Sequence, residues 1–256
     1  MKKRLLVLNV LGAVALAGAA QAADLATKPM VTKAPVAPAF SWTGFYIGAN
    51  AGYGWGQTTF SNSYDPLNPS TLVNADADFG TDGAVVGGQI GYNWQINQVV
   101  LGVEADAAWS DISGSGSYFN GVASSCVQSN DACTAKTEAF GTIAARLGVA
   151  FDRVLVYAKG GAAWAVTKYT AGNTDFVTPA FSYQASVDET RWGWTIGGGV
   201  EWAFTNNWSA KVEYNYMDFG SSDVTFNFVP NTFIHPYAAT VGQSLQVLKG
   251  GVNYRF

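Results

Sequence analysis

Few side chains in this chain are of types that do chemistry. His235 is the only histidine, and Cys126 and Cys133 are the only cysteines. A general base needs a nucleophile or a water placed beside it, and the sequence sets nothing of that kind next to His235, which precedes Pro236 in the last long connection. A zinc site wants more Cys or His close by. Asp65, Asp76, Asp78 and Asp82 could hold a divalent cation weakly, but they lack the spacing of a calcium loop and read as solvated acids. Gly52-Tyr53-Gly54 and Gly197-Gly198-Gly199 superficially look like nucleotide loops, yet no helix follows to offer its N-terminus to a phosphate. The expectation is therefore no catalytic residue, no metal and no cofactor. A formal net charge of -4 also excludes nucleic acid as a partner, since that needs a basic patch.

The first residues assign the compartment. Met1-Lys2-Lys3-Arg4, the apolar run from Leu5 to Ala20 and the small-residue site Ala20-Gln21-Ala22 make up a secretory signal peptide, which places the mature start at Ala23. Export into an oxidising compartment favours a disulfide between Cys126 and Cys133. So small a loop gains at most ~2.5 kcal/mol, enough to stiffen a segment but not to hold a fold. No later run reaches the ~18 apolar residues of a spanning helix, so a membrane could be crossed only by strands.

What remains is ionic, and its placement depends on the strands that carry it. Period-2 alternation predicts strands at about 43–56, 83–95, 99–110, 137–151, 154–167, 190–204, 208–219 and 244–256. One face of these strands is free of charge. The other holds Glu104, Asp106, Glu138, Arg146, Lys159, Arg191, Glu201, Lys211, Glu213, Lys249 and Arg255. Short connections (96–98, 152–153, 205–207) alternate with long ones (57–82, 111–136, 168–189, 220–243). That asymmetry belongs to outer-membrane barrels, with turns in the periplasm and loops outside.

Aromatic residues on the uncharged face sort to the strand ends. Tyr53, Trp55, Trp109, Trp164, Trp192, Trp194 and Tyr216 fall at the loop ends, and Phe45, Trp94, Phe151, Trp202, Phe204, Trp208, Tyr254 and Phe256 at the turn ends. Two such girdles are what amphipathic rings make at the two membrane interfaces. A soluble β-sandwich would also alternate but has no reason to sort its aromatics in this way. The fold predicted is all-β: an eight-stranded antiparallel up-and-down transmembrane β-barrel over residues 42–256, after a signal peptide at 1–22 and a Pro-containing periplasmic linker at 23–41. An interior that narrow is filled by its own side chains, so five acids against six bases imply paired ions and a plugged lumen.

Specific motifs carry a family resemblance. The segment Ala20-Gln21-Ala22-Ala23-Asp24-Leu25, the linker from Lys28-Pro29 to Ala39, the block Phe40-Ser41-Trp42-Thr43-Gly44-Phe45-Tyr46-Ile47-Gly48 and the end Gly250-Gly251-Val252-Asn253-Tyr254-Arg255-Phe256 resemble the alphaproteobacterial outer-membrane surface-antigen, or immunogenic porin-family, proteins. The resemblance implies an outer-membrane barrel that supports envelope integrity and displays surface loops. It also implies partners: outer-membrane lipids and lipopolysaccharide, the barrel-assembly machinery reading Tyr254 and Phe256, and peptidoglycan joined through the α-amino group of Ala23. A small-solute channel or ligand carrier is the competing expectation.

Overall fold

The computed structural model describes residues 40–65, 68–73, 77–116, 131–173, 183–227 and 237–256. Ala23, Asp76, Cys126 and His235 lie outside the described residues, as do the signal and linker segments. Nine strands follow one another: β1 (Gly44–Asp65), β2 (Asn68–Val73), β3 (Ala77–Ile96), β4 (Val99–Gly116), β5 (Asp131–Phe151), β6 (Val154–Asn173), β7 (Tyr183–Ala203), β8 (Trp208–Phe226) and β9 (Tyr237–Arg255). Every pairing is antiparallel: β1 pairs with β3, each strand from β3 to β8 pairs with the next, and β1 pairs with β9 from Tyr46↔Arg255 upward. That last pairing closes the sheet, so eight strands form a barrel while β2 merely extends the loop end of β1. Between the girdles this closure leaves no edge, a requirement where the surroundings are hydrocarbon; above Trp194↔Asp218 the β7–β8 ladder stops.

The turn ends are tight. Asn97-Gln98 joins Ile96 to Val99, and Asp152-Arg153 joins Phe151 to Val154. Asn97 (φ 56°) and Asp152 (φ 52°) take the left-handed conformation that short polar side chains tolerate. At the third turn, the Thr205 hydroxyl accepts hydrogen bonds from the Asn207 and Trp208 amides.

The uncharged face points outward, with Ile90, Val103, Ile143, Leu147 and Val212 all more than half exposed. The girdles line up across strands: Trp164 pairs with Trp192, and Trp208 with Tyr254, whose rings lie 5.1 Å apart.

The strands run well beyond the limits read from the sequence. β6 continues nine residues past Trp164 to Asn173, which at ~3.3 Å per tilted residue lifts the barrel roughly 20 Å above the outer girdle. Much of what reads as long loop is therefore strand. Bulges at 61–64, 109–112, 137–139 and 218–221 interrupt the period there. Gly220, at φ 63°, supplies the left-handed residue of one of them, with its amide held by the Asp218 carboxylate at 2.8 Å.

Candidate functional site: a layered lumen

Inward-facing residues of the eight strands stack in layers along the barrel axis. The floor is Trp42. Its ring is 2% exposed, its indole N–H donates to the Asp152 carbonyl at 3.1 Å, and its amide donates to Gln95 Oε1 at 2.7 Å. Trp42, the first residue of the barrel range read from the sequence, folds beneath the wall and packs with Val100, Ala150, Leu155, Tyr157 and Ala203. The floor encloses a cavity of only about 10 Å³, room for about one water.

Above the floor lies the ionic layer, built from four carboxylates and four cations. Lys159 Nζ contacts Glu104 at 3.0 Å, Asp106 at 3.1 Å and Glu213 at 2.9 Å. Lys211 bridges Glu104 (3.1 Å) and Glu213 (3.2 Å), and Lys249 bridges Asp106 (3.1 Å) and Glu213 (3.4 Å). Arg146 donates from Nη2 to Glu201 at 2.9 Å and from Nη1 to the Tyr46 hydroxyl at 2.6 Å. Its guanidinium also stacks 3.8 Å from the centroid of the Tyr157 ring. Tyr46 and Tyr157 in turn donate to Glu104 (2.8 Å) and Glu213 (2.6 Å). Neutral donors supply the rest: Thr142 to Asp106, Ser209 and Asn253 to Glu201, Asn215 to Glu213. Asn50, Gln89 and Asn253 form a side-chain chain that ties in β1 and β3.

Two glycines make this layer possible. A Cβ at Gly91 would overlap the Tyr46 hydroxyl, and one at Gly199 would lie 2.9 Å from the Tyr157 hydroxyl. The glycines thus leave the space in which the two tyrosines lie across the lumen.

Carboxylate oxygens of Glu104, Asp106 and Glu213 converge within 4.8 Å, which is metal-like spacing. The Lys159 ammonium already touches all three. The cluster is therefore charge-compensated by the protein itself.

Higher up, the lumen turns apolar at the outer girdle, where Ile112, Phe140, Met217, Leu245 and Val247 pack with Val85 and Ala163. A Cβ at Gly54 would overlap Ile112. A thin polar layer follows: Gln243 accepts from the Tyr169 hydroxyl at 2.8 Å and donates to Thr137 and Thr167 at 3.0 and 3.1 Å. The top layer is aromatic, with Phe60, Phe79, Tyr169, Val224, Phe226 and Val241. Tyr169 stands outside the membrane-spanning band, and burial pushes its hydroxyl up to about 12. On the outer surface at this level, Asp111 pairs with Lys136 at 2.8 Å and raises the pKa of its ammonium through that hydrogen bond.

Eight of the eleven charges predicted to line the lumen meet in the ionic layer. Three do not. Glu138 points outward and is exposed, because the bulge opposes Thr137–Ala139 of β5 to Thr167–Val166 of β6 and flips the side-chain parity between Phe140 and Thr137. Arg191 is inward but sits apart, near the top, pairing with Glu189 at 2.8 Å and donating to the Val241 carbonyl at 2.6 Å. Arg255 has the right parity, yet it lies at the strand end and turns under the periplasmic mouth. Sequence reasoning missed Tyr46, Tyr157 and Glu189. The first two were legible as inward-parity tyrosines facing glycines; Glu189 fell in a stretch read as loop. Cys133 is disulfide-bonded and buried beside the aromatic layer. Tyr254 packs between Trp208 and Phe256 at the inner girdle.

Against known proteins, residues 10–256 match the model of the outer membrane protein beta-barrel domain. The chain belongs to that family. It is an outer-membrane protein, similar to the 31 kDa outer-membrane immunogenic protein of Brucella melitensis, with 35% identity over 243 residues covering 94% of this chain and 95% of that one. The 22 kDa outer membrane protein of Rhizobium leguminosarum is 32% identical over 197 residues, covering 75% and 71% of the two chains. Among solved structures, the outer membrane protease OmpT from Escherichia coli superposes with a TM-score of 0.58 at 12% identity, over 86% of this chain and 99% of its own. OprG from Pseudomonas aeruginosa gives 0.56 at 12% identity, over 85% and 98%. At such identity the likeness speaks for the fold alone.

Proposed function

We propose that the protein is a closed, non-enzymatic structural barrel that supports the outer membrane and displays its loop end at the cell surface. The observation that carries this reading is the stacking of Trp42, the ionic layer and two apolar layers across one lumen. A solute would have to displace a buried charge network and then an aromatic plug. Each inward carboxylate of the network already holds a cation or a hydrogen-bond donor, which leaves no positioned base for hydrolysis. The competing channel reading is tested by purified protein in planar bilayers, where the closed barrel gives little or no steady conductance. Large, stable single-channel currents would overturn the reading.

The same proposal holds that Ala23 is joined covalently to peptidoglycan, that Tyr254 and Phe256 form the assembly signal, and that the wall sits among lipopolysaccharide and lipids. A linker of ~18 residues in extended form spans ~55 Å, long enough to reach the cell wall. Sacculi extracted in boiling detergent retain the protein until muramidase or protease is added; complete release by detergent alone would refute the tether.

A further inference from the structure

Above the outer girdle the barrel wall has a seam. β7 and β8 stop pairing at Trp194↔Asp218, yet both strands run on. Beyond that point β7 pairs only with β6, as far as Asn173↔Tyr183, and β8 only with β9, from Ser221↔Gly242 upward. A Cβ at Gly193 would still overlap the Asp218 carbonyl, so the two strands part just past it, where the bulge at Gly220 turns β8 aside. The β3–β4 ladder also ends early, at Asp82↔Ser113, but there Gly114 stays against the Gly80 carbonyl and Thr81. The seam leaves two strand edges, residues 185–190 of β7 and 221–225 of β8, with no backbone partner on that side among the described residues. A row of unpaired N–H and C=O groups is a template for a further strand.

The side chains of the seam narrow what that strand can be. Inward stand Ala185, Val187 and Val224, which belong to the aromatic layer or pack against it. Outward stand Asp188 and Asp223, both exposed, with Asp218 half-buried at the base. Asp223 accepts from the Thr240 hydroxyl at 2.7 Å, and Asp218 caps the Gly220 amide, so each is held by a neutral donor. Lys168 is in register with Asp188 but lies on the β6 side, away from the seam. Arg191 is buried inward, where it is held by Glu189 and the Val241 carbonyl. A second copy would bring acid against acid, since like charges on neighbouring strands repel. A strand with apolar side chains inward and basic ones outward fits both faces. We propose that the seam is a docking site for an extended, cationic amphipathic peptide, which adds to the β7 edge with its Lys or Arg side chains beside Asp188 and Asp223. The ionic layer below keeps the lumen closed when the seam is filled.

The test uses the full-length mature protein in nanodiscs of zwitterionic lipid, titrated with a short synthetic peptide of alternating Lys and Val. Wild type binds it, and the matching Glu-Val peptide does not bind. Methylating the backbone nitrogens along one edge of the Lys-Val peptide abolishes binding, because the charges remain but the ladder cannot form. Hydrogen exchange then shows new protection at those amides of residues 185–190 that point away from β6. Asp188→Asn/Asp223→Asn weakens binding about threefold to tenfold, the effect of two exposed charge pairs, and heat-modifiable migration checks that the variant is still a folded barrel. No binding by wild type, or equal binding by the double variant, overturns the proposal. Equal binding of the methylated peptide does so too, since it would reduce the effect to surface charge. Protection of the same amides without peptide, appearing only when a nanodisc holds two copies, would assign the seam to a second copy and overturn it as well.

Discussion

Replacing Lys159 by Met tests whether the ionic layer acts as a unit. The Lys159 ammonium touches three carboxylates between 2.9 and 3.1 Å, with no exposed side-chain surface on it, Glu104 or Glu213. Met fills nearly the same volume, so the change removes charge and hydrogen bonds rather than packing. Four buried carboxylates would then face three cations, and removing one partner of a buried ion pair costs about 3–5 kcal/mol. Restoring neutrality should recover much of this loss. In Lys159→Met/Asp106→Asn, Lys249 keeps Glu213 at 3.4 Å and Thr142 keeps a polar partner, so the double variant should be less destabilised than the summed singles by roughly 2 kcal/mol. Urea unfolding from lipid vesicles, followed by tryptophan fluorescence, gives the three stabilities. A loss below about 1 kcal/mol for Lys159→Met, or additivity within about 0.5 kcal/mol, would refute the account of a mutually dependent network.

Three further outcomes follow from where side chains point. Ile143→Arg, on the outer wall midway between the girdles, should cost about 2–4 kcal/mol in the same unfolding assay because its charge meets hydrocarbon. Glu138→Gln should stay within about 0.5 kcal/mol of wild type, since the bulge leaves that carboxylate exposed to water; a loss as large as that of a lumen charge would put Glu138 back inside. Cys126→Ser/Cys133→Ser should lower stability by no more than ~2.5 kcal/mol and leave the heat-modifiable shift intact, while thiol titration of unfolded, unreduced wild type should find no free cysteine.

The outer wall was legible because lipid imposes a rule without local exceptions: no charge, and rings at both interfaces. The ionic layer followed from the same rule, since charges barred from Val103 and Ile143 positions had to occupy the alternating places of Glu104 and Arg146. Parity fails as a guide where the ladder slips. One extra residue in β5 sends Glu138 outward, and nothing in Thr137-Glu138-Ala139 marks the bulge. Trp42 received no role from the sequence because it lies just before the first strand at 43–56, although it shares the inward parity of Tyr46 and Asn50. Length was underestimated for a different reason. Above Trp109 and Trp164 the alternation continues with its polarity reversed, Phe60 and Tyr169 inward and Thr59 and Lys168 outward, so a template with the apolar face outside stops matching.

That reversal has a single physical cause. Between the girdles the wall already meets hydrocarbon, so burying apolar groups in the lumen gains little, and the interior can hold the charges that lipid refuses. Above the outer girdle the wall meets water, as Lys136, Lys168 and Asp188 on its surface attest. There the hydrophobic effect operates across the barrel wall again, and the lumen fills with Phe60, Phe79, Phe226 and Val241 as the core of a soluble barrel would. Ile112, Phe140 and Met217 sit at the crossover, level with the outer aromatics. The barrel is thus two proteins in one cylinder, an ion-filled membrane segment and an apolar-cored surface segment; β6 passes from one to the other on unchanged parity, while β5 and β8 change sides at their bulges. Each segment closes the lumen by the interaction its own surroundings make strongest.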